Sequence, residues 1–177
     1  MRRLPFHGFR RRIPGVPGRQ TDNGVDMTAL RVLHVDDEPD IRKVVKLSLG
    51  LDPTFAVLSC GSGAEALAAA PDWSPDMILC DVVMPMMDGP ETLKHLRACP
   101  KTVDIPVIFM TARVQKREIQ QFKSLGAVGV ITKPFDPMTL VGELRAYLRS
   151  AGLGVARSRF LQRLRADAAI LADCRTS

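Results

Sequence analysis

The sequence has few of the residues that build soft-metal and redox sites: three histidines and four cysteines among 177 residues. Neither type is clustered, and the cysteines form no CxxC pair and no spacing typical of zinc ligands. A zinc site is therefore not expected, and free thiols in a reducing cytoplasm are the expected state. His34 lies inside an apolar run and is interpreted as a packed core residue without a chemical role. The dispersed positions are His7, His34, His95, Cys60, Cys80, Cys99 and Cys174.

Long apolar runs are also missing, since no stretch approaches the roughly 20 residues that span a bilayer. Membrane insertion is not expected. The content of hydrophobic residues is 46% and that of charged residues 25%, which is typical of globular proteins and unlike disordered chains or coiled coils. A chain of 177 residues is long enough for one good-sized core and short for two. We therefore expect one domain with tails.

Positive charge is unevenly distributed along the chain. The formal net charge is +6, and residues 1–26 contain six arginines and two aspartates, so they account for +4 of it. This segment is rich in Pro, Gly and Arg, shows no helical or strand period, and is predicted to be a disordered basic tail. The segment lacks the apolar central region that a secretory signal peptide contains. A nucleic-acid- or membrane-binding arm is the alternative interpretation, and we consider it less favoured.

Five short apolar runs alternate with helical patterns from residue 30 onward. Apolar runs of this kind are typical of strands that are buried on both faces of a parallel sheet. The pattern predicts an open, doubly wound α/β domain, and such sheets bind ligands beyond the carboxyl ends of their strands. The predicted strands span residues 31–35, 55–59, 76–80, 106–110 and 128–132.

Polar residues follow four of these strands and are predicted to meet at one edge of the sheet. Asp36 and Asp37 follow the first strand, Asp81 the third, Thr111 the fourth and Lys133 the fifth. Carboxylates without His or Cys form an all-oxygen site that suits Mg²⁺. A carboxylate can also act as a nucleophile toward a phosphoryl group, and an ammonium and a hydroxyl can bind phosphoryl oxygens. Asp81 is the candidate acceptor, with Lys133 and Thr111 as its partners.

Each residue also has an ordinary structural interpretation. Carboxylates at strand ends are commonly helix caps or solvated loop residues, and a lysine before a proline is most often on the surface. Taken singly, the structural interpretation is favoured for all of them. Their joint arrangement at successive strand ends favours a functional site instead.

Four motifs resemble the receiver domain of two-component response regulators: DDE at 36–38, DVVMPMMDG at 81–89, TA at 111–112 and KPF at 133–135. The resemblance implies a flavodoxin-like fold with strand order 2-1-3-4-5 over about residues 30–150. It also implies that Asp81 receives a phosphoryl group from a phosphohistidine on a sensor histidine kinase or a phosphotransfer protein. Asp36, Asp37, Asp81 and the backbone carbonyl of Val83 would bind Mg²⁺.

One position departs from this family. Receiver domains usually carry Tyr or Phe three residues before the lysine, and here that position is Val130. We expect phosphorylation chemistry to survive this change. The usual route by which the signal leaves the domain, through a Thr movement and an aromatic rotamer, is in doubt.

The predicted organisation is a tail at 1–26, a receiver domain at 27–150, and a hinge with an amphipathic C-terminal helix at 151–177. The apolar stripe of that helix suits either docking on its own domain or a contact with a second copy or a partner protein. The 27 residues after Ser150 are too few for a DNA-binding effector. We therefore expect a stand-alone regulator in the cytoplasm that signals through contacts with an unknown downstream protein or serves in a phosphorelay. Nucleic acid is an unlikely partner.

A hydrolase of the haloacid-dehalogenase type is the alternative from another functional class, because it also forms an aspartyl phosphate on an α/β sheet. Its nucleophile follows strand one in a D-x-D pattern, whereas the present sequence reads DDE at that place. Phosphate on Asp36 instead of Asp81 would favour this alternative.

Overall fold

The computed structural model describes residues 29–112 and 115–150. Five strands alternate with five helices along the chain. In order they are β1 (Leu30–Val35), α1 (Pro39–Gly50), β2 (Phe55–Cys60), α2 (Gly63–Trp73), β3 (Met77–Asp81), α3 (Gly89–Ala98), β4 (Val107–Thr111), α4 (Lys116–Ser124), β5 (Gly129–Thr132) and α5 (Leu140–Ser150). The tail predicted at 1–26 and the additional helix predicted within 151–177 lie outside the described residues.

All strand pairs are parallel, and the sheet has the order β2-β1-β3-β4-β5. The flavodoxin-like, doubly wound fold is thereby confirmed. None of the described helices is both long enough and apolar enough to cross a lipid bilayer.

The sheet separates two apolar cores because successive side chains of a strand point to opposite faces. On one face, Leu33, Ile78 and Phe109 pack with buried residues of α2, α3 and α4. On the other face, Val32 and Leu79 pack with buried residues of α1 and α5. Both faces of the central strands are covered, which explains why β3 and β4 read as continuous apolar runs.

The strand bounds agree with the sequence prediction to within one residue at each end. The difference matters at two positions, because Asp81 and Thr111 are the last residues of β3 and β4 and do not follow them. Both residues still have register partners on a neighbouring strand, Met110 for Asp81 and Thr132 for Thr111. The ladder therefore holds the backbone of both positions at the carboxyl edge of the sheet.

Candidate functional site

Three carboxylates converge at the carboxyl edge of the sheet. Asp36 and Asp37 directly follow β1, and Asp81 ends the neighbouring strand β3. One oxygen from each carboxylate lies within 4.8 Å of the others. Like charges this close repel, so the cluster requires positive charge nearby.

Asp36 is the most enclosed of the three, with a fully buried side chain. Its Oδ1 accepts a hydrogen bond of 2.9 Å from the backbone N–H of Glu38, and its Oδ2 accepts one of 2.7 Å from Lys133 Nζ. Glu38 itself has a side chain that is 63% exposed and lies 3.7 Å from Lys133 Nζ. Glu38 therefore stays at the rim of the carboxylate cluster.

Lys133 supplies the positive charge between the two buried carboxylates. Its Nζ lies 2.7 Å from Asp36 Oδ2 and 2.9 Å from Asp81 Oδ1, and the side chain is only 11% exposed. Its backbone N–H donates to the carbonyl of Thr111 at 2.7 Å, and its peptide bond to Pro134 is cis. Burial alone would lower the pKa of Lys133, but its hydrogen bonds to Asp36 and Asp81 and their negative charges outweigh burial and raise it.

The surroundings of Asp81 change the pKa of its carboxyl group. Burial raises its pKa, the contact with Lys133 opposes that rise, and the charges of Asp36 and Asp37 add to it. Its side chain keeps 8% of its surface exposed, whereas Asp36 keeps none. Among these two buried carboxylates, Asp81 is the one that solvent can reach.

Thr111 and Val83 complete the set of sequence-predicted residues. Thr111 is buried at the end of β4, next to the strand that leads to Lys133. Val83 lies in the loop between β3 and α3, two residues after Asp81, and its side chain is exposed. The predicted roles of the Thr111 hydroxyl and the Val83 carbonyl remain predictions.

Arg42 supports the site and was missed by the sequence reasoning. It lies on α1, and its Nη1 donates hydrogen bonds to the backbone carbonyls of Asp36 at 2.7 Å and of Asp37 at 2.9 Å. These bonds hold the acidic loop against the start of α1. The only sequence signal was a basic residue in the first turns of the helix after DDE, which by itself indicates a solvated face.

Gly89 also shapes the site. An added Cβ at this position would lie 2.4 Å from the backbone carbonyl oxygen of Asp81 and 3.0 Å from the ring of Phe109. The first residue of α3 therefore approaches the end of β3 more closely than any side chain would permit. The sequence motif contained this glycine, but its reason is visible only in the packing.

An aromatic ring does lie beside β5, although Val130 is aliphatic. The ring of Tyr147 from α5 lies over Gly129, where an added Cβ would come within 2.1 Å of it. The Tyr147 hydroxyl donates a hydrogen bond of 3.0 Å to the backbone carbonyl of Val130. Aromatic contact with this strand thus comes from the following helix.

The donor set of the cluster fits Mg²⁺. Its ligand atoms are carboxylate oxygens from Asp36, Asp37 and Asp81, and hard cations of this kind prefer oxygen donors. Magnesium usually keeps several waters and is completed by a phosphate, which an exposed edge of the sheet permits. The residues present are therefore compatible with a Mg²⁺ ion, whose two positive charges and that of Lys133 would together balance the three carboxylates.

Comparison with known proteins identifies relatives of this arrangement. Residues 32–145 match the family model of the response regulator receiver domain. The chain is 37% identical over 128 residues to the phosphate regulon transcriptional regulatory protein PhoB of Pseudomonas aeruginosa, covering 72% of this chain and 56% of that protein. It is 37% identical over 120 residues to the DNA-binding dual master transcriptional regulator RpaA of Synechocystis, covering 67% and 49%. The chain thus spans about half the length of these curated relatives.

Solved structures agree with the sequence comparison. The chemotaxis response regulator CheY4 of Vibrio cholerae matches with a TM-score of 0.64 and 36% identity, over 68% of this chain and 100% of that chain. A response regulator from Chloroflexus aurantiacus matches with a TM-score of 0.63 and 30% identity, over 68% and 98%. Both chains are covered almost completely by the described domain.

Proposed function

The chain belongs to the response regulator receiver domain family, and on this premise we propose that it accepts a phosphoryl group on Asp81 in a Mg²⁺-dependent reaction. The observation that carries the proposal is the position of Lys133 Nζ, 2.7 Å from Asp36 and 2.9 Å from Asp81. One ammonium beside two clustered carboxylates provides a charge that phosphoryl oxygens can share.

In the proposed reaction, a carboxylate oxygen of Asp81 attacks the phosphorus of a phosphohistidine. The new bond joins that oxygen to phosphorus, and the bond that breaks joins phosphorus to the donor imidazole nitrogen, which leaves with the electron pair. The protein catalyses this transfer and the slow hydrolysis of its own phosphate, and no other reaction is proposed. It is a signalling protein.

The choice of Asp81 over Asp36 is supported by burial and hydrogen bonding. Asp36 has no exposed surface, and each of its oxygens already accepts a hydrogen bond. Asp81 retains an exposed edge toward which a donor can approach. The alternative of a dehalogenase-type hydrolase requires Asp36 as the nucleophile, so the same facts weigh against it.

The remaining residues act on charge and orientation. Asp36, Asp37, Asp81 and the backbone carbonyl of Val83 would hold the Mg²⁺, which supplies positive charge against the oxygens of the transferred group. Lys133 would bind a phosphoryl oxygen from its place beside Asp81, and the Thr111 hydroxyl would donate to another. Arg42 would keep the acidic loop in position through the carbonyls of Asp36 and Asp37.

The partners we propose follow from this chemistry. A sensor histidine kinase or a histidine phosphotransfer protein would be the donor, and an unidentified protein would receive the signal by direct contact in the cytoplasm. We further propose the organisation 1–26 tail, 27–150 receiver and 151–177 hinge and helix, the last of which offers a homodimer contact.

Phosphorylation is tested by incubating the full chain with Mg²⁺ and acetyl phosphate and measuring intact mass. We expect one added phosphoryl group that disappears in Asp81→Asn and in EDTA. Asp88→Asn is the matched control, because Asp88 lies in the same motif but accepts a hydrogen bond from the backbone of Glu91 as the cap of α3. Full modification of Asp81→Asn would contradict the proposal, and modification lost only in Asp36→Asn would support the hydrolase alternative.

A further inference from the structure

His34 is a polar residue in the buried core of the sheet. It is the fifth residue of β1, its side chain is fully buried, and neither ring nitrogen has a hydrogen-bond partner within the part of the chain that the structure describes. Ser59, its register partner on β2, has a buried hydroxyl that likewise lacks one. Buried polar groups are normally hydrogen-bonded, so an unused donor in the core calls for an explanation.

The ring is directed toward the acidic cluster. His34 Nε2 lies 3.9 Å from Asp36 Oδ2, the same oxygen that accepts from Lys133 Nζ at 2.7 Å. A distance of 3.9 Å is too long for an N–H···O hydrogen bond, and an approach of about 1 Å would make one. A neutral imidazole carries one N–H, on Nδ1 or on Nε2. With the proton on Nε2, the ring would offer Asp36 Oδ2 a second donor besides Lys133.

Lys133 has a competing acceptor once Asp81 is modified. In the free protein its ammonium bridges Asp36 and Asp81. A phosphoryl group on Asp81 adds strongly accepting oxygens on the side of Asp81, and charge-assisted hydrogen bonds to such oxygens are strong. A turn of the ammonium toward them weakens its contact with Asp36 Oδ2. That oxygen is fully buried, so replacement by solvent is not available to it.

We propose that His34 is a positioning residue for Asp36: its Nε2–H donates to Asp36 Oδ2 in the phosphorylated state and replaces the contact that Lys133 gives up. This inference rests on the proposed phosphorylation of Asp81. The hydrogen bond keeps the Asp36 carboxylate oriented toward the metal position while Lys133 serves the phosphoryl group. No change in the charge of the ring is involved.

The first experiment observes the ring itself. Full-length protein labelled with ¹⁵N-histidine is studied by NMR in EDTA and then with Mg²⁺ and beryllofluoride, a mimic of the aspartyl phosphate. His34→Gln assigns the resonances, and ¹⁹F NMR reports beryllofluoride on Asp81. We expect the His34 Nε2–H proton to shift downfield upon binding. Unchanged His34 signals at full ¹⁹F occupancy, or a proton on Nδ1 alone, would overturn the inference. If no beryllofluoride binds to Asp81, the proposed function is overturned, and the inference about His34 falls with it.

The second experiment uses a matched pair of variants. His34→Gln retains an N–H at the place of Nε2, whereas His34→Leu fills the core without a donor. We expect beryllofluoride to bind about tenfold more weakly to the Leu variant, the effect of one hydrogen bond to a charged group, and nearly normally to the Gln variant. Ser59→Ala, which removes the neighbouring hydroxyl, serves as the control with unchanged binding. Wild-type affinity in His34→Leu, or equal loss in both variants, would refute the role, and the NMR result decides if the Leu variant does not fold.

Discussion

Removal of the positive charge at position 133 is expected to destabilise the metal-free protein strongly. Lys133→Met keeps the length of the side chain and deletes the ammonium that contacts Asp36 at 2.7 Å and Asp81 at 2.9 Å. Without that cation, the carboxylates of Asp36, Asp37 and Asp81 lie within 4.8 Å of one another with no ammonium between them. At an effective dielectric constant of 20, two unit charges at this separation repel by about 3.5 kcal/mol. Breaking a buried ion pair from one side costs about 3 to 5 kcal/mol, and we expect a loss in this range.

The measurement is urea unfolding at pH 7 with EDTA, followed by circular dichroism. Lys43→Met is the matched control, because Lys43 also pairs with an aspartate at 2.9 Å, but on the exposed surface of α1. An exposed pair of this kind contributes roughly 0.5 kcal/mol. Lys43→Met should therefore lower the free energy of unfolding by about a tenth as much as Lys133→Met. Both variants lose one positive charge, so the difference between them measures the effect of burial.

The response of the same variant to Mg²⁺ provides a second test. The ammonium and a metal ion neutralise the same carboxylates, so Lys133→Met should bind Mg²⁺ more tightly than the wild type. Saturating Mg²⁺ should then restore more stability to the variant, since a ligand present at about 100 times its Kd adds about 2.7 kcal/mol. A loss below about 1 kcal/mol in EDTA, or an identical Mg²⁺ response in both proteins, would refute the reasoning about the cluster.

Three further outcomes are expected. Burial raises the pKa of Asp81 in the folded state, so its contribution to stability is present at acid pH and is lost as the pH rises through that pKa. In EDTA, the stability of Asp81→Asn relative to the wild type should therefore increase from acid to neutral pH, which urea unfolding midpoints measured across this range would show. Gly89→Ala should destabilise the protein by about 1 to 3 kcal/mol because the added Cβ meets the Asp81 carbonyl. Gly142→Ala has open space around the added Cβ and should stabilise α5 by up to about 1 kcal/mol. Thermal melts would show a lower melting temperature for the first variant and a higher one for the second. Tyr147→Phe should cost about 1 kcal/mol through loss of its bond to the Val130 carbonyl, and an unchanged melting temperature would contradict this.

Much of the architecture could be predicted from local signals. Apolar runs separated by polar segments indicated five strands buried on both faces, and their alternation with helical patterns indicated a parallel sheet. The strand bounds were correct to within one residue. The placement of Asp36, Asp37, Asp81 and Lys133 at one edge followed from the rule that parallel strands present their carboxyl ends together.

Contacts that depend on side-chain packing were not predictable in this way. Arg42 was not singled out from the sequence, yet its side chain donates hydrogen bonds to two backbone carbonyls of the acidic loop. Val130 was recognised as an aliphatic residue at a position that is usually aromatic in this family, but the sequence did not indicate that the ring of Tyr147 on α5 lies beside β5. His34 was correctly predicted to be buried, but its direction toward Asp36 was not, because a periodic pattern specifies the face of a strand and not the hydrogen-bond partners on it.

The sequence by itself determined which chemical groups stand at the strand ends, since apolar periodicity and turn residues act over a few neighbouring positions. Only the tertiary structure decided how these groups meet. Lys133 is 97 residues from Asp36 along the chain and 2.7 Å from it in space, and that distance results from the packing of β5 and β1 into one sheet. Burial in this packing also raises the pKa of Asp81, because desolvation is a property of the assembled core and not of any local segment.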